Sequence, residues 1–367
     1  MGFPVTRAEP VGSLLRPRDL REARAEYDAG RLDAAGFKKV EDDAVDRAVA
    51  VQESAGLDVV TDGEMRRMHF TGSLSEAVDG LGEVPADTLG WHGSSESEDM
   101  TYAHRRAVVG KLRRTRSLAQ EEYVYLRARA SKPVKITLPS PLMMQTFWSS
   151  EHSTAAYGDP FAMFADAAEL IREEIAELAA LGCTYVQIDA PELATLVDES
   201  VREGFRARGI DPERMLTDGL DILNAVATTP GVRYAIHLCR GNRDGHWQAA
   251  GGYEGISKQV FTRADRFDTF FLEYDDERSG GFEPLADLPQ DRFVFLGLVS
   301  TKRVELENPD ALVARVEDAA RHYPRERLGL SPQCGFESAV GSYPLDAAGQ
   351  TAKLELVTGV ARRLWGS

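Results

Sequence analysis

Cysteine is scarce in this chain: Cys183, Cys239 and Cys334 are the only three in 367 residues. So few exclude a disulfide framework, point to a reducing cytoplasm and leave thiols free for metal or chemistry. No run of about 18 apolar residues occurs, so no membrane-spanning helix is expected. The N-terminus, MGFPVTRAEPVGSLLRP, lacks the long apolar stretch of a secretory signal and reads as mature protein. Positive charge is also short. Lys and Arg number 43 against 59 Asp and Glu, a net charge of −16, which argues against nucleic-acid or anionic-membrane partners. Repeats, linkers and low-complexity tracts are missing, and no G-x-G-x-x-G follows the first strand-like segment, which weakens a doubly wound dinucleotide fold.

What is present is a sizeable core, with 43% hydrophobic residues, and a regular alternation. Eight short apolar runs bounded by turn residues read as strands: 10–15, 57–64, 133–141, 183–191, 233–239, 268–275, 292–300 and 327–334. Helical patterns lie between most of them. In 164–182, Leu170, Ile171, Ile175, Leu178 and Leu181 form one apolar stripe, and Gly182 stands where a helix C-cap is expected. Residues 34–56 repeat the arrangement, and KLELVTGVARRLW supplies a last helix. Strands alternating with helices imply a parallel sheet with right-handed crossovers. Eight units predict a single (β/α)8 barrel over residues 1–367, with an open doubly wound sheet as the alternative. The polar stretch at about 70–130 reads as an elaboration, a hairpin plus helix covering one end of the barrel.

Polar residues collect at the C-terminal ends of the predicted strands: Ser13, Glu64, Asp189, His237, Cys239, Glu273 and Cys334. That face carries the active site in barrel enzymes. In HLC the imidazole of His237 and the thiol of Cys239 are two positions apart, so both point the same way. His, Cys, Glu and Cys on three segments form a donor set that suits zinc. Each residue also has a plainer explanation: a lone histidine is often a satisfied core residue, and a buried cysteine a small hydrophobe. Cys183, at the start of its strand, belongs to the opposite face and reads as packing.

The segments HLCRGN, FFLEYDDERSGGFEPL, FLGLVSTK and LSPQCGFES, with PVGSLLRP, VVTDGEMRR and VQIDAPEL before them, resemble the zinc barrel of cobalamin-independent methionine synthase, and most closely its short single-barrel relatives. The resemblance covers nearly the whole chain. It implies a methionine synthase/uroporphyrinogen decarboxylase-like TIM barrel, with Zn2+ bound by His237, Cys239, Glu273 and Cys334. It also implies an amino-acid thiol, homocysteine, held by Ser13 with the backbone around Gly12, and by Glu64 and Asp189. Zinc deprotonates a coordinated thiol, and two carboxylates suit an ammonium group. The implied reaction is methyl or other alkyl transfer to the thiol, giving methionine. The partners are then a small-molecule thiol acceptor and a methyl or alkyl donor; whether the chain forms a homo-oligomer is left open.

Two departures from the family pattern matter. The chain has length for one barrel where the full-length enzyme has two. Ala190 replaces the family's second acid beside Asp189, and Lys302 stands near the place of a family histidine that protonates the leaving group. Lys302 could take that role only with a pKa lowered by burial; an anion clamp or a solvated loop lysine are its other readings. Trp148 and Phe147 could stack on a flat donor or pack in the core. The basic run 103–117 reads as a solvated helix face or as a charged patch over the barrel mouth. Arg240 and Asn242 could support the metal ligands. Competing functions are a thiol-dependent epoxide-opening transferase resembling the epoxyalkane–coenzyme M transferases, a non-catalytic zinc- and thiol-binding barrel, and a hydrolase using zinc-bound water.

Overall fold

The computed structural model describes residues 5–93 and 99–366. A hairpin comes first among the strands. β1 (Val78–Trp91) pairs antiparallel with β2 (Met100–Arg114). Then come β3 (Ile136–Pro139), β4 (Tyr185–Asp189), β5 (Arg233–Leu238), β6 (Thr269–Glu273), β7 (Phe293–Val299) and β8 (Leu328–Pro332), a parallel sheet in sequential order. Every residue of these six strands is buried, as expected of a parallel sheet covered on both faces.

Two short segments close the ring. Glu9 N–H donates to the Leu330 carbonyl and Leu330 N–H to Arg7. Asp58 N–H donates to Ala8, and the Val60 and Lys135 amides tie 58–60 to the start of β3. Eight parallel segments therefore form a (β/α)8 barrel. The first lies earlier than the sequence suggested: residues 7–9 pair, while 10–15 already belong to the loop at the barrel mouth. Pro10 has no N–H to give to a ladder, which ends the pairing there.

Helices precede most strands. Ala34–Ser54 leads to the second segment, Pro160–Ala180 to β4, Asp218–Val226 to β5 and Pro309–Ala319 to β8, and Ala347–Trp365 follows. The Pro160–Ala180 helix starts with Asp159 accepting from Phe161 N–H and with Pro160 in its first turn. It ends before Gly182, whose φ of +99° suits glycine. Ile171, Ile175 and Leu178 of the expected stripe are buried; Leu181 is exposed at the helix end. Between β6 and β7 only short 3-10 turns occur.

The core has two parts. The larger lies between sheet and helices. The smaller, with Phe271, Phe293, Phe295 and Tyr185, fills the barrel, where Phe271 and Phe295 stack at 4.6 Å. Below it a buried Lys135–Glu9 pair (3.2 Å) and the Tyr185 hydroxyl (3.0 Å from Glu9) plug the lower end. The basic run 103–117 falls largely on β2 rather than on a helix, because alternation in HRRAVVGKLRR fits a half-exposed strand. The hairpin tip is pinned to the loop after β5 by the reciprocal His92–Trp247 backbone bonds, 2.7 and 3.1 Å. Among the described residues, no helix is long and apolar enough to cross a membrane.

Candidate metal centre

β5 delivers His237 from inside the barrel and Cys239 just past its end; Cys334 stands two residues beyond β8. All three are buried, and one donor atom from each lies within 4.8 Å of the others. The two sulfurs are 3.7 Å apart. Two thiolates at the corners of a tetrahedron, each 2.3 Å from one ion, would be separated by about 3.8 Å, so the spacing fits a metal.

Electrostatics agrees. The contact between the two thiols, opposed by burial and aided by His237, pulls the Cys334 pKa down; the same contact, with burial, pushes Cys239 well up. Opposite shifts on two touching thiols are what a shared negative charge produces, and a bound cation would stabilise that charge. Burial works against protonation of His237, but the Asp189 carboxylate and Cys334 outweigh it and raise its pKa.

Asp189 and His237 are neighbours in the β4–β5 register. His237 Nδ1 lies 3.0 Å from Asp189 Oδ1, and Gln187 Nε2 donates to the same oxygen at 2.7 Å. Nε2 has only a long 3.4 Å approach to the Gln333 carbonyl. With Nδ1–H given to Asp189, the lone pair falls on Nε2, the nitrogen left for a metal.

Glu273 is not in this trio. Its Oε2 accepts from Arg240 N–H (2.6 Å), and its Oε1 from Arg278 (2.8 Å) and Lys302 (3.0 Å). Those cations overcome the effect of burial and hold its carboxyl far below the usual range. Its charge still reaches both cysteines. Lys302 is buried against Glu273 and Asp275 (2.8 Å). Burial would lower its pKa, but the two acids raise it. The condition for a lysine acid near neutrality is not met, and no free charge is left for a substrate anion. Arg240 and Asn242 do buttress the loop: Asn242 donates to Thr301 and to the Gly335 carbonyl.

The trio opens on a pocket whose walls include Gly12, Ser13, Glu64 and Asp189. Glu64 sits in the left-handed region, φ +57°, an uncommon place for a residue with a side chain. The Thr137 hydroxyl donates to its Oε1 at 2.8 Å; Oε2 has no hydrogen-bond partner among the described residues. Burial, with Arg67 opposing and Asp189 assisting, raises its pKa to about 7. A Cβ on Gly12 would fall 2.7 Å from that Oε1, so the backbone approaches closely only because glycine is there.

Trp148 is not brought to the pocket. The 3-10 turn Pro141–Phe147 carries it into the outer core, where its Nε1 donates to the Arg208 carbonyl at 3.0 Å. The aromatic wall comes from elsewhere: Trp91 and Tyr102 of the hairpin, and Phe70. Sequence reasoning missed these, and also Arg16, which ties the 64–67 turn to Glu337. The only signal was that the 70–130 elaboration must cover one end of the barrel.

Comparison with known proteins adds the following. Residues 3–353 match the family model described as the cobalamin-independent synthase catalytic domain. Protein YxjH of Bacillus subtilis (strain 168), itself uncharacterized, is 36% identical over 364 residues, covering 98% of this chain and 94% of that protein. The 5-methyltetrahydropteroyltriglutamate–homocysteine methyltransferase of Streptomyces griseus is 24% identical over 369 residues, and this chain spans 44% of its length. A candidate vitamin-B12-independent methionine synthase from Listeria monocytogenes superposes with a TM-score of 0.71 at 26% identity over 98% of both chains.

Proposed function

The chain belongs to the cobalamin-independent methionine synthase family, in its catalytic-domain part, and from that premise we propose that it transfers a methyl group to the thiol of homocysteine. The observation that carries this reading is the convergence of His237, Cys239 and Cys334 on one point that opens into a pocket with two carboxyl groups.

His237, Cys239 and Cys334 would hold zinc. Glu273 is the proposed fourth donor of the resting site, and in this structure is turned to Arg240, Arg278 and Lys302 instead. When bound, zinc keeps a coordinated thiol ionised at neutral pH. The protein does the rest. Asp189 orients the His237 ring, and both of its side-chain hydrogen bonds fall on Oδ1. Glu64, with Oε2 unpartnered, takes the substrate ammonium together with Asp189. A cation there would draw the Glu64 proton off, because opposite charge favours the ionised form. Trp91, Tyr102 and Phe70 shape the side from which the donor approaches. Displacement at carbon needs sulfur, carbon and leaving atom in line, so positioning is a large part of the rate.

The relatives' names point to a 5-methyltetrahydropteroyl donor. The test is to purify the protein with one equivalent of zinc and incubate it with homocysteine and that donor, looking for methionine. Sulfur added to the zinc shell by X-ray absorption would accompany binding. Bound zinc and thiol without product from any methyl donor would make this a binding barrel instead.

A further inference from the structure

Methyl transfer from nitrogen has a proton requirement. The sulfur–carbon bond forms as the carbon–nitrogen bond breaks, the nitrogen keeps the electron pair, and it leaves readily only if it gains a proton. Lys302 cannot supply one, being committed to Glu273 and Asp275. His69 faces the pocket, but burial, with Arg243 and Arg16 adding, lowers its pKa to about 3, so it is neutral. His237 is bonded to Asp189 and assigned to the metal.

Glu192 stands differently. It lies three residues beyond Asp189, in the first turn of the short helix Pro191–Ala194 that follows β4, and lines the same pocket as Asp189 and Glu64. It is only 3% exposed, and among the described residues neither carboxyl oxygen has a hydrogen-bond partner of good geometry. Burial raises its pKa to about 8 and Asp189 adds to the rise; the Ser140 hydroxyl and Glu192's own amide lie near enough to draw it back part of the way, but neither makes a hydrogen bond of good geometry to it. A buried carboxyl with unmet hydrogen-bonding capacity costs stability. Such a group is retained most easily where a ligand completes it.

We propose that Glu192 is the proton donor to the leaving nitrogen of an N-methyl donor. The inference rests on the methyltransferase reading above. The step balances: thiolate, N-methyl amine and Glu192 carboxylic acid become methyl thioether, secondary amine and Glu192 carboxylate, which then takes a proton from solvent. The sequence hides this because Ala190 occupies the place of the family acid; the acid two positions later comes back to the pocket on a helical turn.

The experiment compares two donors on the zinc-loaded enzyme. One is the 5-methyltetrahydropteroyl compound, whose nitrogen needs a proton. The other is methyl iodide, whose iodide leaves without one. In Glu192→Gln the ratio of the first rate to the second should fall about a hundredfold or more. Glu192→Asp, which keeps an acid, should recover part of it. The wild-type-minus-Glu192→Gln infrared difference spectrum at neutral pH should show the loss of one protonated-carboxyl band, separate from that of Glu64. An unchanged ratio, or no protonated-carboxyl band lost on the substitution, overturns the proposal. A wild-type enzyme inert towards both donors overturns the methyltransferase reading first, and this inference with it.

Discussion

Asp189 offers the sharpest test of how the proposed metal centre would be held. Its Oδ1 lies 3.0 Å from His237 Nδ1 in a buried site. A hydrogen bond to a charged acceptor contributes about 1.5–3 kcal/mol, and one between neutral groups about 0.5–1.5. Asp189→Asn keeps the acceptor oxygen and the shape but removes the charge, a loss of about 1 kcal/mol, or roughly a fivefold weaker zinc affinity. Asp189→Ala removes the partner altogether. Loss of such an orienting group typically weakens metal binding by about 10–100-fold. Zinc dissociation constants from competition with a chromophoric chelator, at fixed pH and without homocysteine, separate the two variants. Circular dichroism confirms that the barrel is intact. If folded Asp189→Ala binds zinc within a factor of about two of wild type, the carboxylate does not orient the ring. The assignment of Nε2 to the metal then falls.

The pKa of Glu64, raised from 4.5 to about 7, means that the unfolded chain ionises first. Stability contributed by the neutral form is therefore lost as pH climbs from about 4.5 to 7, by about 3 kcal/mol in all. Glu64→Gln should be more stable than wild type at pH 8 but not at pH 4, while binding homocysteine poorly; urea midpoints that differ equally at both pH values refute this. Lys302→Met strands Glu273 and Asp275 with one cation fewer and should cost about 3–5 kcal/mol by chemical denaturation. A variant of full stability that lost only turnover would restore Lys302 as an acid. Trp91→Ala should raise the donor KM about three- to tenfold, in line with about 0.5–1.5 kcal/mol for an aromatic contact. Trp148→Phe should leave that KM unchanged and cost about 1 kcal/mol of stability through its lost hydrogen bond.

Strand order and the convergence of His237, Cys239 and Cys334 were legible because both follow from local rules. A buried parallel strand reads as a short apolar run, and a barrel brings strand ends together whatever the helices do. The first strand was misplaced because three residues, Arg7–Glu9, carry its pairing, too few to show a period. Lys302 and Glu273 were read singly. Their roles depend on Asp275 and Arg278 in the loop after β6 and on Arg240 after β5, which meet Lys302 from the loop after β7. Sequence spacing does not encode that meeting. Trp148 shows the same limit: its helical turn, not its position after β3, decides which way the ring faces.

The cations around Glu273 also bear on the chemistry of the sulfur. Arg240, Arg278 and Lys302 hold that carboxylate ionised and spread its charge away from the trio. Two thiolates and an imidazole would then just cancel a divalent ion, and an incoming thiolate would make the assembly an anion in a buried place. Buried charge is costly unless paired, and on the proposed reading the substrate carries its own remedy in the ammonium that Glu64 and Asp189 would receive. Affinity for the thiol should therefore depend on that amino group. A homocysteine analogue lacking it should bind far more weakly than the loss of one hydrogen bond would suggest, measured by calorimetry on zinc-loaded protein. Equal binding of the two would show that the carboxyl pair does not balance the sulfur's charge.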